Sequence, residues 1–599
     1  MTDTCFALPL TLYDEIFQKY GDKAQQQFRD LLSEAISTKT DKIPILNETS
    51  LDLIPDGHIV CVYGMVQDMF GIELFMDEFS LSGSGDNRVH SFRFRDFSSD
   101  EVYSSEPENV KFGERQSAYV VPVPGESSWV RRTRASKCKY TPAVQLIGNK
   151  RAIGDDEELP IEPKKAKGTS ADTSTSKPKP RKQFPLTEEE EEESRTGVLV
   201  RLYGEEQDTL KINEVVEVFG ILEHTRLGSI MVQDEFAQDA KGSEPIPRVH
   251  AVIIRRLKHN NPCLPNSELM PAIDSHPDAD KSSCLLSFVD QSRMNAARST
   301  LHTILMECYK GDSLAADYTL IHLSSARLDV ESPYPSKLPA LNIVCPTNDE
   351  DTIHPSSPEV RVTLADTAGL LSRLRLLLPC LVTQLAPVTV TLESLNNGPN
   401  LMPIRDADRG SLDAGRLQLP NGTQVLVDET GMTTGQLQSR GVLNLRALTM
   451  LATKQCVPYD FQFYTQDWDT DCRVLIISAG QSLVKSTLAL PWVPEGDFSV
   501  ECTYNQADTA WNELRNYLTI LTQSSSLYSM EEPLQKRIND DFVKWRRSKE
   551  TFIEADDLAI MLCLLRTLCL THGENHATVE RWEQVCRMEE QRRLRLKKR

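Results

Sequence analysis

The stretch best placed to do chemistry is residues 311–323, GDSLAADYTLIHL. A glycine and small residues ahead of a helical run can close backbone N–H groups around phosphate oxygens. Such a loop also needs a Lys to meet the phosphates and a Ser or Thr hydroxyl for Mg²⁺. No Lys follows Gly311, and Asp312 and Asp317 supply carboxylates instead. A carboxylate in place of the cation is repulsive by roughly 4 kcal/mol at about 4 Å and an effective dielectric near 20. The loop therefore predicts no bound nucleotide, and its plain reading, a loop opening a helix, prevails. A second candidate is Asp428-Glu429 at the end of TQVLVDET. Paired carboxylates at a strand end suit Mg²⁺ and an attacking water; without the Lys and hydroxyl they are at most a remnant, or an acidic strand end facing solvent. No Ser/His/Asp or Cys/His pattern has workable spacing. The 11 histidines form no H-E-x-x-H, and the 14 cysteines no C-x-x-C. His302, His322 and His572 fall in or beside helical patterns and read as structural. Neither a metal nor another cofactor is expected.

These residues need elements to carry them, and composition bounds those elements. A chain of 599 residues accommodates three or four domains. With 40% hydrophobic and 26% charged residues it can bury sizeable cores. A net charge of −21 and a pI near 5.1 argue against coating nucleic acid, although one local basic face could still bind DNA. Scattered thiols read as reduced, intracellular and core-filling. The start, MTDTCFALPL, lacks the basic and apolar regions of a signal peptide. The most apolar helix candidate, 558–570, is too short to span a bilayer and contains Arg566. A soluble protein without membrane contact or small-molecule substrate is expected.

Taken in order, residues 1–45 show helical spacing in Leu12, Ile16, Tyr20, Phe28, Leu31, Leu32 and Ile36. From 46 to 146 the period becomes two, in HIVCVYGMVQDM, ELFMDEF and VHSFRFRDF, predicting antiparallel strands. There follows VPVPGESSWV, where Pro122, Pro124 and Gly125 preclude regular structure. With Glu126 and Trp129 this loop is a candidate partner contact; equally, Trp129 can be a lid over the local core. Residues 147–196 read as a disordered charged linker. Within it Lys150-Arg151, Lys164-Lys165-Ala166-Lys167 and Lys177, Lys179, Arg181 and Lys182 make basic clusters ahead of a Glu run. Such clusters suit a nuclear import receptor, and so a nuclear protein. Residues 197–259 carry strands again, in VLVRLY, NEVVEVFGILE, SIMVQDEF and VHAVIIRRL. Short strands broken by Gly and Asn suit an oligonucleotide/oligosaccharide-binding (OB) barrel; one interrupted barrel or two remains open at this level. Arg255, Arg256, Lys258 and His259 read as a solvated basic corner. After a connector at 260–282, helical and strand patterns alternate over 283–504 as in an α/β layer. Strands are expected at LPALNIVC, VTVTLESL and CRVLIISAGQSL, and Ser478 ends the last. Residues 505–599 are helical, with a start at Thr551 or Glu554 and a basic end, RRLRLKKR. The fold class is α+β, multidomain.

In order and spacing, GDSLAADYTLIHL, VPVPGESSWV, LVDET and GVLNLRAL resemble the family of minichromosome maintenance (MCM)-binding proteins, from the N-terminal helices to the C-terminal ones. Replicative helicases of the MCM type carry G-D-P-G-x-A-K-S in their phosphate loop. Against it Gly311, Asp312 and Ala316 match, Leu314 replaces the second Gly, Asp317 stands at the Lys and Tyr318 at the Ser. The resemblance implies N-terminal helices, an OB-like region, a degenerate MCM/AAA+-like α/β core and a helical lid. It further implies a non-catalytic nuclear adaptor that binds MCM helicase subunits in place of one member. Such an adaptor would help assemble MCM complexes or unload them from chromatin, itself touching chromatin indirectly, with a link to sister-chromatid cohesion. The competing readings are an OB-fold single-strand DNA-binding replication factor and a working ATPase.

Overall fold

The computed structural model describes residues 6–46, 48–49, 51–81, 89–96, 107–140, 197–204, 210–224, 246–264, 290–327, 338–346, 364–407, 410–486, 488–495, 509–525, 528–547 and 553–597. The basic clusters from Lys150 to Lys182, and the strand expected at SIMVQDEF, lie outside them. No helix among the described residues is long and apolar enough to cross a membrane.

Helices α1 (Pro9–Tyr20) and α2 (Ala24–Lys39) come first, followed by strands β1 (Ile59–Leu81), β2 (Val89–Ser91) and β3 (Pro107–Val121), then helix α3 (Ser128–Lys137). Beyond the charged segment come β4 (Val198–Tyr203), β5 (Val215–Glu223) and β6 (Arg248–Arg256). These strands form one sheet in the order β2-β1-β3-β4-β6-β5, and β1 also pairs with β5. The sheet thus closes on itself, and the two strand-rich segments of the sequence make a single barrel. Only β4 and β6 run parallel within it. Period-two alternation explains the closure. Val60, Val62, Val120, Val200, Val218 and Val249 belong to one buried cluster drawn from all the closing strands. The intervening Ile59 and Cys61 face outward, against Phe28, Leu32 and Ile36 of α2.

The second unit opens with two helices, α4 (Gln291–Cys308) and α5 (Ser313–Ser324), before any of its strands. Then follow β7 (Leu341–Cys345), α6 (Leu364–Leu381), β8 (Leu385–Thr389), α7 (Leu392–Asn397), β9 (Ile404–Asp406), β10 (Ser411–Asp413), β11 (Gln424–Asp428), α8 (Ser439–Lys454), β12 (Cys456–Asp460), β13 (Thr465–Asp469), β14 (Arg473–Ala479) and β15 (Leu488–Pro491). A fully parallel sheet has the order β15-β7-β14-β11-β8. Its inner strands β7, β14 and β11 are largely apolar and buried because both faces are covered, while the edge strand β8 leaves Pro387 and Thr389 exposed. Leu426, Leu475 and Ile477 point into the cluster shared with α4, α5 and the C-terminal helices, while Val425, Val427, Val474 and Ile476 point at Leu448 and Leu451 of α8. The strand expected at VTVTLESL stops early. Thr391 and Ser394 bond each other's backbone N–H in a capping box and start α7 instead.

Helices α9 (Thr509–Gln523), α10 (Glu532–Arg547), α11 (Ala555–Thr571) and α12 (Val579–Lys597) complete the chain. Glu554 is the start residue of α11, capping it jointly with Asp557. Trp582 of α12 is wholly buried among them.

One trio among the described residues, Asp96, Glu223 and His250, has metal-ligand spacing. Its surroundings suit no cation. Asp96 accepts from Arg115 at 2.5 Å and Arg248 at 2.7 Å, and Arg201 lies 3.8 Å away. The trio is the acidic centre of an arginine network that ties β3, β4 and β6 together. Burial alone would raise the Asp96 carboxyl, but His250 and the three guanidinium groups hold it well below the usual range. A carboxyl lowered by folding adds stability that is full above its unfolded value, about 3.9, and drains as pH falls through that value towards the native one. Asp96→Asn should therefore lower the melting temperature at pH 6. The gap to the unaltered protein should narrow between about pH 5 and pH 3; a gap constant with pH would refute this account.

Candidate functional site

The loop at 311–318 does not follow a strand. It joins α4 to α5 and precedes every strand of the parallel sheet. Lys310 and Gly311 both take positive φ, 52° and 87°. They turn the chain so that Asp312 caps α5, its Oδ1 accepting from the Ala315 N–H at 3.1 Å. The Asp312 side chain is fully buried. It also accepts from the Val493 N–H at 3.0 Å and from both Nη atoms of Arg595, at 2.7 and 3.0 Å. Two N–H groups and a forked guanidinium thus surround this anion. The loop holds one of its own carboxylates among donors of the kind a phosphate would attract.

The rest of the loop serves the same joint. Leu314 and Ala316 are buried in the large core. Tyr318 donates to Glu589 at 2.7 Å; burial first, and then the Glu589 charge, push its phenol up. Glu589 accepts twice from Arg592, which donates in turn to the Ala489 carbonyl of β15 at 3.0 Å. Arg595 likewise reaches the Pro491 carbonyl. Asp317 lies 3.4 Å from Arg298 and 3.3 Å from His302. The basic end of the chain therefore docks α12 on strand β15 and on the start of α5. Sequence reasoning did not pair Glu589, Arg592 and Arg595 with the loop. Their spacing of three, one stripe of a helix, was the available signal.

In a parallel sheet of this kind ligands sit beyond the carboxyl ends of the strands. Asp428 and Glu429 do lie at the end of β11, and Ser478 near the end of β14 beside it. Their polar atoms face inward. Asp428 accepts from Arg375 at 3.0 Å and from the Thr430 N–H and hydroxyl at 3.0 and 2.7 Å. Glu429 accepts from the Val484 N–H at 3.0 Å and from Leu483 at 3.3 Å, pinning the segment after β14. Burial raises its carboxyl, opposed by Ser482 and those N–H groups. Ser478 donates to Asn342 on β7 at 2.9 Å.

The Pro-framed loop is also engaged within the chain. Leu385 donates to the Gly125 carbonyl at 2.7 Å, and Ser127 donates to Thr383 at 2.9 Å, so the loop adds itself beside β8 at the edge of the parallel sheet. Trp129 is buried, its indole N–H on the Val382 carbonyl at 3.1 Å and its ring beneath Arg515 at 4.3 Å. Glu126 pairs with Arg134 at 2.5 Å, and Pro122 and Pro124 are buried. The loop read either as a partner contact or as a lid over the local core forms a staple between barrel and α/β unit. A second junction flanks it. Gln67 donates to the Leu412 carbonyl, Asp68 accepts from Leu412 and Arg405, and Asn213 donates to Tyr459. The basic corner is partly paired, Arg255 with Glu217 and Arg256 with Glu214.

A closed barrel stapled to a five-stranded parallel sheet, with a helical end clamped by an internal ion pair, defines a multidomain α+β protein whose loop motifs are joints. The chain belongs to the Mini-chromosome maintenance replisome factor family, whose profile matches residues 28–596. It is 27% identical to the human Mini-chromosome maintenance complex-binding protein, over 98% of this chain and 97% of the relative. Its identity is 29% to the Gallus gallus protein of that name, over 96% and 94%, and 27% to that of Drosophila melanogaster, over 97% and 96%.

Two substitutions test these joints. Asp312→Ala leaves Arg595 without its carboxylate and α5 without its cap. The expected loss is about 3–5 kcal/mol, read by denaturant unfolding; a loss under about 1 kcal/mol would show the clamp to be incidental. Gly125 has φ +68°, and a Cβ there would lie 2.5 Å from the Leu385 carbonyl oxygen. Gly125→Ala should destabilise by about 1–3 kcal/mol and speed hydrogen exchange at the Leu385 amide. Unchanged exchange would mean that the staple accommodates the methyl group.

Proposed function

We propose that this chain is a non-catalytic nuclear adaptor that binds MCM helicase subunits, standing in for one member of their assembly. The observation that carries the reading is near-full-length similarity to proteins named for binding the MCM complex. The strand orders support it at the level of fold. Around the barrel the chain visits its first, second, third, fifth and fourth closing strands, which favours an OB-type barrel. The parallel sheet, with its acidic pair ending β11 and Ser478 near the end of β14, favours an AAA+-type core. Together they supply a plan like a helicase subunit's, whose surfaces neighbouring subunits can recognise.

The engagement of Asp428 and Glu429 by Arg375, Thr430, Val484 and Leu483 supports the absence of ATP turnover, because Mg²⁺ needs uncommitted carboxylate oxygens. The basic clusters at Lys150–Arg151, 164–167 and 177–182 would address the chain to an import receptor and hence to the nucleus. On this reading the protein acts in assembling MCM complexes or releasing them from chromatin, with the cohesion link that the resemblance carries.

The test is purification of the tagged protein from nuclear extract without added ATP, with partners identified by mass spectrometry. Several MCM subunits with one consistently missing is the expected result. Recovery of none, with single-stranded DNA retained in a salt-dependent manner, would overturn it in favour of a DNA-binding factor.

A further inference from the structure

Strands β12 and β13 form a hairpin at the margin of a small sheet with the order β10-β9-β12-β13. Its tip, Phe461-Gln462-Phe463-Tyr464, is ordered by its own contacts. The Gln462 N–H donates to the Asp460 carboxylate at 2.8 Å, Phe463 donates to the Phe461 carbonyl at 2.7 Å, and Phe461 donates to Tyr464 at 2.9 Å. Gln462 takes φ +65°, and the rings of Phe461 and Tyr464 stack at 5.0 Å with 10° between planes. The base is anchored by Trp468 against Tyr459, itself bonded to Asn213 of the barrel. This preformed turn presents Phe463 with 90% of its surface exposed and Tyr464 with 59%. Burying a rigid aromatic on a partner sacrifices little conformational freedom, which is why such residues dominate binding energies.

Charge selects the kind of partner. From Cys456 to Asp469 the hairpin carries Asp460, Asp467 and Asp469 and no Lys or Arg. Arg327 meets Asp469 at 3.2 Å but leaves it largely exposed. A tip flanked by carboxylates repels a phosphate backbone, which excludes nucleic acid, and is attracted to a basic surface.

We propose that this hairpin is the anchor by which the chain docks on an MCM subunit, with Phe463 entering an apolar pocket rimmed by Lys or Arg. The inference rests on the MCM-binding reading above and adds the contact to it.

The test measures affinity of the full-length chain for each purified MCM subunit, comparing the unaltered protein with Phe463→Ala, Asp467→Lys and Leu74→Ala. Leu74 is a control, 71% exposed on β1 of the barrel rather than on the hairpin. Phe463→Ala is expected to weaken binding about 30-fold with no change in melting temperature. Asp467→Lys should weaken it as well, Leu74→Ala should not, and the unaltered affinity should fall as salt rises. Full binding by Phe463→Ala, or an equal loss in Leu74→Ala, would overturn the anchor and leave the MCM-binding reading standing. Failure of the unaltered chain to bind any subunit would overturn both. A Phe463→Ala effect confined to single-stranded DNA would overturn the choice of partner.

Discussion

A carboxylate removed from water needs donors on several sides, and Asp312 collects them from three distant parts of the chain. The start of α5 supplies the Ala315 N–H, the segment after β15 supplies the Val493 N–H, and α12 supplies both arms of Arg595. The attraction within such a buried pair is largely offset by desolvation. Its effect is therefore mostly one of specificity, since any other arrangement of α12 would leave a charge stranded. Glu589, Arg592 and Tyr318 repeat the arrangement one turn away. The C-terminal helices are consequently fixed to the parallel sheet at a single register.

The junction between barrel and sheet follows the same logic, with backbone groups added to the charged ones. An open edge strand exposes N–H and C=O groups that must find partners; at the start of β8 the Leu385 N–H finds the Gly125 carbonyl, and the Thr383 carbonyl just before it takes the Ser127 N–H. A glycine at position 125 follows from this geometry, because the backbones approach too closely for a side chain there. Gln67, Asp68 and Asn213 extend the contact to β9, β10 and β12. Barrel and α/β unit meet through hydrogen bonds at the staple and at the junction beside it.

Much of this was legible in the sequence, and what was not shares a cause. Alternation of Val60, Val62, Val200 and Val218 marked the strands, and the apolar run at VLIISA marked a strand covered on both faces. The internal pairing of strands across the charged segment was not legible, because register between distant strands leaves no local trace. The loop at Gly311 was readable from its surroundings as the opening of a helix. Helical spacing over residues 285–309 runs directly into it, and a phosphate loop has to follow a strand. Trp129 was open to two readings because its partner, the Val382 carbonyl, is a backbone group that no side-chain pattern announces.

On the adaptor reading, the origin of the buried anion has a consequence for assembly. A joint closed by a bound ligand is stabilised by RT ln(1 + [L]/Kd), so its strength follows ligand concentration. A joint closed by Asp312 contains its anion covalently, and Arg595 meets it at a fixed effective concentration. Closure of the C-terminal helices on the sheet is then independent of nucleotide. On that reading, any complex the chain makes with MCM subunits would need no bound nucleotide to keep this joint closed.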